Sequence, residues 1–209
     1  MLRILIADDH EIVRRGIKQI LQEGLSFPEI GEAADTPTLI QKATSEPWDI
    51  VISDLSMPGG GGIEAIAAIR LEKPQQRILI VSIYPEEQYA VRVIRLGASG
   101  YLNKDAATEE LLKAVQVILS GRRYIHPFIA EKITLALRNQ AGLLPHELLS
   151  EREFDVMIKL VSGATISEIA EQLSLSPNTV STYRSRILQK MDMKSNADII
   201  THAIKNQLV

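Results

Sequence analysis

The chain has no cysteine, few aromatic residues and no long hydrophobic run. The absence of cysteine excludes disulfides, thiolate metal sites and a cysteine nucleophile, and it suits a reducing compartment. The first apolar run, Ile4–Ala7, is interrupted by Asp8, far short of the roughly 20 residues that a membrane-spanning helix needs. The N-terminus also lacks the layout of a signal peptide. We therefore expect a cytoplasmic protein that does not associate with a membrane.

The chain also lacks a strong net charge, which is −3 over 209 residues. Residues 1–122 contain 13 basic and 17 acidic residues, and residues 149–209 contain seven of each. Such a balance does not give the basic charge that is usual for a nucleic-acid-binding domain. Within residues 177–194, however, four basic residues stand against a single acidic one, Asp192. This local charge is of the sign that a phosphate backbone attracts.

Short apolar runs alternate with helical patterns from residue 3 to residue 120, which predicts βαβ units and a parallel sheet. Strands are predicted near residues 3–8, 29–34, 49–54, 77–82 and 100–103. Helices are predicted near residues 10–23, 37–45, 62–72, 86–96 and 108–119. Five such units predict the doubly wound, flavodoxin-like α/β fold with a five-stranded parallel sheet.

From Ser150 onward the alternation stops and the pattern becomes helical throughout. Start signals for helices include two capping boxes, Ser150 with Glu153 and Thr165 with Glu168. The predicted helices lie near residues 151–162, 166–173, 177–191 and 196–206. The middle pair, joined by a short break, forms a helix-turn-helix in a small all-α domain.

These patterns predict two domains and a connecting segment. The first domain is expected over residues 1–122 and the helix-turn-helix domain over residues 149–209. Between them, residues 123–148 are interpreted as a linker that contains a helix beginning near Pro127 and a flexible stretch at residues 139–142.

Five polar residues follow or end the predicted strands of the first domain: Asp8, Asp9, Asp54, Ser82 and Lys104. Because ligands of such sheets bind beyond the carboxyl ends of the strands, these side chains should converge at one edge. Three neighbouring carboxylates repel one another unless a cation joins them, and oxygen ligands suit Mg²⁺. A lysine at the same point can neutralise a phosphoryl oxygen. The sequence therefore predicts a magnesium-dependent phosphoryl site.

This dispersed set of residues resembles the receiver domain of two-component signalling. The matching pieces are Asp8-Asp9-His10, Asp54-Leu55-Ser56-Met57-Pro58 with Gly62, Ser82, Gly97-Ala98 and Gly100-Tyr101-Leu102-Asn103-Lys104.

The receiver resemblance assigns a role to each matching position. It implies that Asp54 accepts the phosphoryl group and that Lys104 contacts it, with Ser82 donating its hydroxyl and Tyr101 acting as a switch residue. It also implies that Mg²⁺ is held by Asp8, Asp9, Asp54 and the backbone carbonyl of Ser56. The four glycines Gly59–Gly62 are interpreted as a loop after Asp54, because no Lys-Ser or Lys-Thr follows as a nucleotide phosphate loop requires.

The helix predicted at residues 177–191 is a candidate for DNA recognition. Its apolar stripe is formed by Val180, Tyr183, Ile187 and Met191, and polar side chains occupy the opposite face. Short polar side chains allow close approach to base edges, and basic ones supply phosphate contacts. We expect DNA contacts from Asn178, Thr179, Ser181, Thr182, Arg184, Ser185, Arg186, Gln189, Lys190 and Lys194.

Residues 149–209 resemble the LuxR/GerE-type helix-turn-helix, on the runs Leu149–Glu153, Ile166–Ala170 and Ser176–Tyr183. With the receiver in front, the whole chain resembles a NarL/FixJ-type response regulator. The resemblance implies a sensor histidine kinase as phosphoryl donor, double-stranded DNA as a partner and a homodimer when the protein is phosphorylated or bound to DNA. RNA polymerase is a further candidate partner. The last predicted helix, with an apolar stripe that includes Ile204, is a candidate dimer face.

Two other functions stay under consideration. A phosphatase of the haloacid-dehalogenase type also forms an aspartyl phosphate, but it requires a second Asp where Ser56 stands. A regulator that binds DNA without being phosphorylated is also compatible with the helix-turn-helix, although the complete acidic site argues against it. We do not expect an enzyme beyond phosphotransfer to, and dephosphorylation of, the chain's own aspartate.

Overall fold

The contacts divide the chain into two compact units, Met1–Gly142 and Leu143–Val209. The structure is a computed structural model, and it describes residues 1–126, 129–130, 144–206 and 208. The two units correspond to the two predicted fold types, an α/β unit followed by a helical one.

The first unit is built on a sheet of five parallel strands in the order β2-β1-β3-β4-β5. The strands are β1 (Arg3–Ala7), β2 (Glu29–Ala33), β3 (Ile50–Ser53), β4 (Ile78–Ser82) and β5 (Gly100–Asn103). The predicted flavodoxin-like fold is confirmed, and each strand end lies within one residue of its prediction. The central strands are buried along their whole length, as expected where helices cover both faces.

Five helices connect and cover the strands. They are α1 (Glu11–Gly24), α2 (Thr36–Ser45), α3 (Gly62–Glu72), α4 (Glu86–Arg95) and α5 (Ala107–Leu119). On one face, Ile17 and Leu21 of α1 and Val115 of α5 pack against Ile4 and Ile6 of β1. All of these side chains are at most 5% exposed. This packing fixes the sheet rigidly beneath the edge where the predicted site lies.

Strand register brings the predicted site residues to one edge. Ala7 pairs with Ser53, so Asp8 and Asp54 follow directly on adjacent strands. Ser82 pairs with Asn103 in the same way, so Lys104 follows beside the end of β4. The convergence expected from the order of apolar runs is therefore produced by hydrogen-bonded neighbours in the sheet.

Among its described residues, the second unit contains four α-helices: α6 (Glu151–Val161), α7 (Ile166–Gln172), α8 (Pro177–Lys190) and α9 (Asn196–Lys205). The predicted caps are present, since Ser150 and Thr165 each form a capping box and Ser176 accepts a hydrogen bond from the Thr179 N–H. Beyond the end of α6, Gly163 adopts a φ of 88°, which explains why the helix ends there. The helices α7 and α8 form the predicted helix-turn-helix.

Both ends of the predicted linker at residues 123–148 belong to the folded units. Tyr124 forms an isolated parallel bridge with Gly100 of β5, and its hydroxyl donates to Glu110 of α5 over 2.5 Å. At the other end, Pro145–Leu148 form a short 3₁₀ helix whose His146 lies 2.8 Å from a ring nitrogen of His202. Apart from Ile129 and Ala130, which are helical, the helix predicted after Pro127 and the flexible stretch at 139–142 lie outside the described residues.

Candidate functional site

The first site is centred on an ammonium group between two buried carboxylates. The Lys104 Nζ atom lies 2.7 Å from Asp8 Oδ2 and 2.8 Å from Asp54 Oδ2. The Asp8 and Asp54 side chains are only 2% and 4% exposed. The second Asp54 oxygen, Oδ1, accepts a hydrogen bond from the Leu55 N–H over 2.7 Å. The structure thus brings together three of the five residues predicted to converge at this edge of the sheet.

The pKa values at this site are shifted by burial and by the neighbouring charges. Burial, the largest effect, and the Asp8 carboxylate raise the pKa of Asp54, although Lys104 and the Leu55 N–H act in the opposite direction. Burial lowers the pKa of Lys104, but the hydrogen bonds and charges of Asp54 and Asp8 outweigh it, so the pKa of Lys104 is raised. Two carboxylates stabilise the charged form of Lys104, whereas the charged form of Asp54 has the like charge of Asp8 beside it. Lys104 therefore stays protonated at neutral pH.

An acidic cluster surrounds the end of β1. Ligand atoms of Asp8, Asp9, His10 and Asp54 all lie within 4.8 Å of one another. His10 was not expected here; its Nδ1 lies 2.8 Å from Asp9 Oδ1 and 3.2 Å from Asp8 Oδ1. Asp9 and His10 are exposed, so solvent reaches the cluster. Carboxylate oxygens with an open, solvated side form the kind of donor set that Mg²⁺ accepts, and the acidic residues present fit that ion.

The predicted hydroxyl and switch residues lie at the end of β4 and in β5. Ser82 is fully buried, and its Oγ accepts a hydrogen bond from the Tyr84 N–H over 3.3 Å. Tyr101 is also buried, at 1% exposure, and its hydroxyl donates to the Tyr84 carbonyl over 2.7 Å. Tyr84 therefore connects Ser82 to Tyr101 through its own backbone N–H and C=O groups.

The glycine loop after Asp54 is shaped by its backbone. Gly59, Gly60 and Gly61 adopt φ values of 86°, 137° and 85°, a region that residues with a side chain rarely occupy. A Cβ on Gly62 would lie 2.6 Å from the Asp54 carbonyl oxygen. The Gly61 N–H donates to Thr36 Oγ1 and the Gly62 N–H to the Leu55 carbonyl. These two N–H groups are used within the protein, which agrees with the interpretation that the loop is not a nucleotide phosphate cradle.

The second site is the exposed face of α8. Val180 and Ile187 are fully buried, and Met191, just beyond the helix, is 3% exposed. These side chains hold the helix against the rest of its unit, with α6 and α7 as its packing partners. The opposite face is exposed, and it carries Asn178, Ser181, Thr182, Ser185, Arg186 and Gln189.

Hydroxyl groups on this face donate to the helix itself. Thr182 Oγ1 donates to the Asn178 carbonyl over 3.0 Å, and Ser185 Oγ donates to the Ser181 carbonyl over 3.1 Å. Thr179 is half-buried, and its Oγ1 lies 2.8 Å from Ser176 Oγ at the N-cap. The Thr182 and Ser185 hydroxyls keep acceptor capacity in this arrangement, and a rotation about χ1 would free each to donate to another acceptor.

The basic residues of the helix differ in what they contact. Arg186 and Lys194 are exposed. Arg184 Nε donates to Asn196 Oδ1 of α9 over 2.7 Å. Lys190 forms an ion pair with the buried Glu153 of α6, at 2.8 Å. The charge of +3 expected over residues 177–194 is therefore not wholly available to a ligand, because the Lys190 ammonium already has a carboxylate partner.

Comparison with known proteins finds a family match for each of the two units. Residues 4–116 match the response regulator receiver domain, and residues 147–203 match the bacterial regulatory proteins of the luxR family. The response regulator UvrY of Escherichia coli strain K12 is 35% identical over 209 residues, which cover 100% of this chain and 96% of UvrY. The chain belongs to the NarL/FixJ family of two-component response regulators.

Solved structures of the response regulator RcsB are also similar to the chain. RcsB from Salmonella enterica serovar Typhimurium, bound to promoter rprA with the phosphomimetic BeF3-, is 28% identical with a TM-score of 0.57. That match covers 97% of this chain and 98% of RcsB. A structure of two RcsB dimers bound to two parallel DNAs is 25% identical with a TM-score of 0.59, covering 96% and 97%.

As a NarL/FixJ-type response regulator, the chain is a DNA-binding transcriptional regulator rather than a member of an enzyme family. Its first unit is the receiver and its second carries the LuxR-type helix-turn-helix. None of the helices among the described residues combines the length and apolar character needed to cross a bilayer.

Sequence reasoning did not predict two of the contacts in this regulator. His10 could have been included from the run Asp8-Asp9-His10, because a histidine beside two acidic residues is a familiar metal-site pattern. The Glu153–Lys190 pair joins residues 37 positions apart, and no local sequence pattern predicts it.

Proposed function

We propose that Asp54 accepts a phosphoryl group from a sensor histidine kinase and that this controls DNA binding by α8. The observation that carries the proposal is the Lys104 ammonium held between the buried Asp54 and Asp8 carboxylates. An Asp54 oxygen attacks phosphorus, the P–N bond to the kinase histidine breaks, and the histidine leaves with that electron pair. The chain promotes this transfer to its own side chain, and later the hydrolysis of the aspartyl phosphate, in which water takes the phosphoryl group, inorganic phosphate leaves and the Asp54 carboxylate is restored.

Three residues are assigned supporting roles in the transfer. Lys104 pairs with the transferred group's negative charge, because its ammonium already reaches Asp54 Oδ2. Ser82 donates its hydroxyl to a phosphoryl oxygen. Because Ser82 Oγ accepts a hydrogen bond from the Tyr84 N–H, the backbone of Tyr84 moves with Ser82. Tyr101 follows, because its hydroxyl is bonded to the Tyr84 carbonyl. These movements, in this order, pass the structural effect of phosphorylation from the end of β4 to β5.

We propose that the acidic cluster holds Mg²⁺ through Asp8, Asp9 and Asp54, with the carbonyl of Ser56 as a further ligand. The ion would neutralise the charge that otherwise repels an incoming phosphoryl group from three carboxylates. His10 lies in hydrogen-bonding range of Asp8 and Asp9, and it orients these two carboxylates.

For DNA, we propose that Asn178, Ser181, Thr182, Ser185 and Gln189 face base edges and that Arg184, Arg186 and Lys194 contact phosphates. The exposure of the base-facing set on one face of α8 supports this assignment. Thr179 is placed at the start of the helix, where its hydroxyl bonds the N-cap and its backbone lies near the DNA. Lys190 was expected among the phosphate contacts, and its pairing with Glu153 argues for another role.

We further propose a homodimer on DNA, by analogy with the RcsB dimers bound to DNA. Dimerisation through α9, where Ile204 is 63% exposed, would present two α8 helices to paired half-sites. We also propose that the chain works in the cytoplasm, where a DNA-binding regulator of a bacterium meets its DNA, and RNA polymerase is a candidate partner there.

The phosphorylation proposal is tested with acetyl phosphate and Mg²⁺ on the purified chain, followed by intact-mass measurement. We expect a gain of one phosphoryl group in the wild type and none in Asp54→Asn. Asp105→Asn, an exposed aspartate next to Lys104, is the matched control and should be labelled like the wild type. Equal labelling of Asp54→Asn would reject Asp54 as the acceptor, and no labelling of the wild type would favour a regulator that binds DNA without phosphorylation.

A further inference from the structure

The ion pair between Lys190 and Glu153 joins the end of α8 to the beginning of α6. Lys190 is the last residue of α8, and its Nζ donates to Glu153 Oε2 over 2.8 Å. The Glu153 side chain is only 3% exposed, whereas the Lys190 side chain is 41% exposed. The lysine therefore reaches from the surface toward a buried carboxylate, and does not simply extend into solvent.

The same carboxylate oxygen also closes the capping box of α6. Glu153 Oε2 accepts the Ser150 N–H over 2.7 Å, while Ser150 Oγ accepts the Glu153 N–H over 3.4 Å. A buried carboxylate is costly unless it is paired and hydrogen-bonded. Glu153 thus has one position that satisfies both partners, and this position fixes where the last turn of α8 lies relative to the first turn of α6.

Apolar packing alone leaves the placement of α8 less defined. Val180 and Ile187 bury one face of the helix, and such contacts are not directional, so they permit small rotations and shifts along the helix axis. The polar tethers are directional: Lys190 binds α6, and Arg184 Nε binds Asn196 at the start of α9 over 2.7 Å. Together they determine how the base-facing side chains are presented.

We infer that Glu153 and Lys190 are a positioning pair for sequence reading by α8, and that Lys190 acts on DNA binding through Glu153 and not as a phosphate ligand. The inference rests on the proposed function of α8 as the recognition helix. It separates two properties that a lysine on a recognition helix usually combines: a positioning residue affects preference between sequences, and a phosphate ligand affects all sequences and the salt dependence.

The test uses the full chain with conservative variants. Glu153→Gln keeps an oxygen for the Ser150 N–H and removes the charge that holds Lys190. Lys190→Met keeps the aliphatic stem and removes the ammonium. Lys194→Met is the matched control, because Lys194 is an exposed lysine four residues further along. The probes are a duplex enriched from a random-sequence pool by the wild-type chain and a scrambled duplex of the same composition, each titrated at several salt concentrations.

We expect Glu153→Gln and Lys190→Met each to lower the ratio of affinities for the enriched and scrambled duplexes by roughly three- to tenfold. For both variants, the slope of log affinity against log salt concentration (the salt slope) should equal that of the wild type. The double variant should lose no more than either single variant, because the two residues act as one pair. Lys194→Met should leave the ratio unchanged and reduce the magnitude of the salt slope by about 0.9, the value for one phosphate contact.

The inference is overturned if Lys190→Met lowers the salt slope as Lys194→Met does while Glu153→Gln leaves the ratio unchanged. Loss of folded protein would lower the active fraction for both duplexes equally and leave the ratio intact, so stoichiometric titration separates it from mispositioning. If a variant fails to fold, Lys190→Gln replaces it, since its amide can still donate to Glu153. Because that variant keeps a donor but removes the charge, it should lower the ratio no more than Lys190→Met does and keep the wild-type slope, and a reduced slope would show a phosphate contact. A wild-type chain that does not distinguish the duplexes would instead contradict the proposed function itself.

Discussion

Asp54 is the residue on which the account depends most, and its environment disfavours its charge. Burial first, and then the neighbouring Asp8 carboxylate, raise the pKa of Asp54 against the opposing effects of Lys104 and the Leu55 N–H. A carboxyl group whose pKa is raised by folding binds more protons in the folded state between its unfolded and folded pKa values. Its contribution to stability therefore falls as the pH rises through that window.

We predict that Asp54→Asn raises the free energy of unfolding at neutral pH, because it removes a carboxylate whose charged form is disfavoured by burial. The gain should shrink as the pH is lowered toward the ordinary Asp pKa of 3.8. Urea unfolding of wild type and variant without Mg²⁺, across this range, measures it. Asp105→Asn, where the aspartate is exposed, should show no such gain. A less stable Asp54→Asn at neutral pH would mean that the attraction of Lys104 outweighs burial.

Among the elements, the loop between β3 and α3 depends on one close approach. A Cβ on Gly62 would lie 2.6 Å from the Asp54 carbonyl oxygen and 2.8 Å from Leu55 Cα, both of them backbone atoms that cannot easily move. We predict that Gly62→Ala destabilises the receiver by about 1–3 kcal/mol, the usual cost of overpacking. Gly16→Ala is the control, because a Cβ at Gly16 meets nothing within 4 Å.

Gly16 lies inside α1, where alanine is the better helix former, so its replacement should stabilise the chain by about 0.5–1 kcal/mol. Thermal or urea unfolding of both variants checks the pair. Two variants of equal stability would show that the loop relaxes around the added methyl group and that the close approach does not constrain Asp54.

The recognition helix α8 gives a second prediction among the elements. Thr182→Val keeps the shape of the side chain and removes its hydroxyl, so the preference for the enriched over the scrambled duplex should fall by about 1–3 kcal/mol if that hydroxyl bonds a base well. The change also removes the bond from Thr182 Oγ1 to the Asn178 carbonyl. Thr201→Val removes a matching bond, from Thr201 Oγ1 to the Ala197 carbonyl of α9, at another exposed position. Equal preferences in the two variants would exclude Thr182 from base reading.

How far the sequence predicted these elements depends on how local their causes are. Helix ends at Ser150, Thr165 and Ser176 were predictable because capping is decided within four residues. The convergence of Asp8, Asp54 and Lys104 was predictable because it follows from the general geometry of parallel sheets and from the resemblance to receivers. The pairing of Lys190 was not, because it depends on the tertiary packing of α6 against α8.

At both ends of the linker predicted at residues 123–148, described residues contact a folded unit. Tyr124 is bonded to the receiver through Glu110 and through the Ser99 carbonyl, and His146 is bonded to His202 in the DNA-binding unit. Composition does not reveal such contacts, because they join residues that are distant along the chain. By these contacts Tyr124 belongs to the first unit and His146 to the second.

The exposed side of α9 is the predicted dimer interface. Ile204 is 63% exposed on α9, and we expect it to be covered in a dimer of the phosphorylated chain. Ile204→Glu should weaken that dimer at least tenfold, about 1.4 kcal/mol, because a charge would be buried at the interface. Lys205→Glu, an exposed neighbour on the same helix, is the control. Sedimentation velocity with and without acetyl phosphate measures both, and an undiminished dimer in Ile204→Glu would place the interface elsewhere.

The central claim is that the state of Asp54 controls DNA binding by the second unit. It is tested most directly by fluorescence-anisotropy titration of the enriched duplex with the full chain, with and without acetyl phosphate and Mg²⁺, for the wild type and Asp54→Asn. We expect phosphorylation to change the affinity of the wild type for this duplex and to leave that of Asp54→Asn unchanged. An affinity that is the same in all four titrations would contradict the account and would identify a DNA-binding regulator that does not depend on phosphorylation.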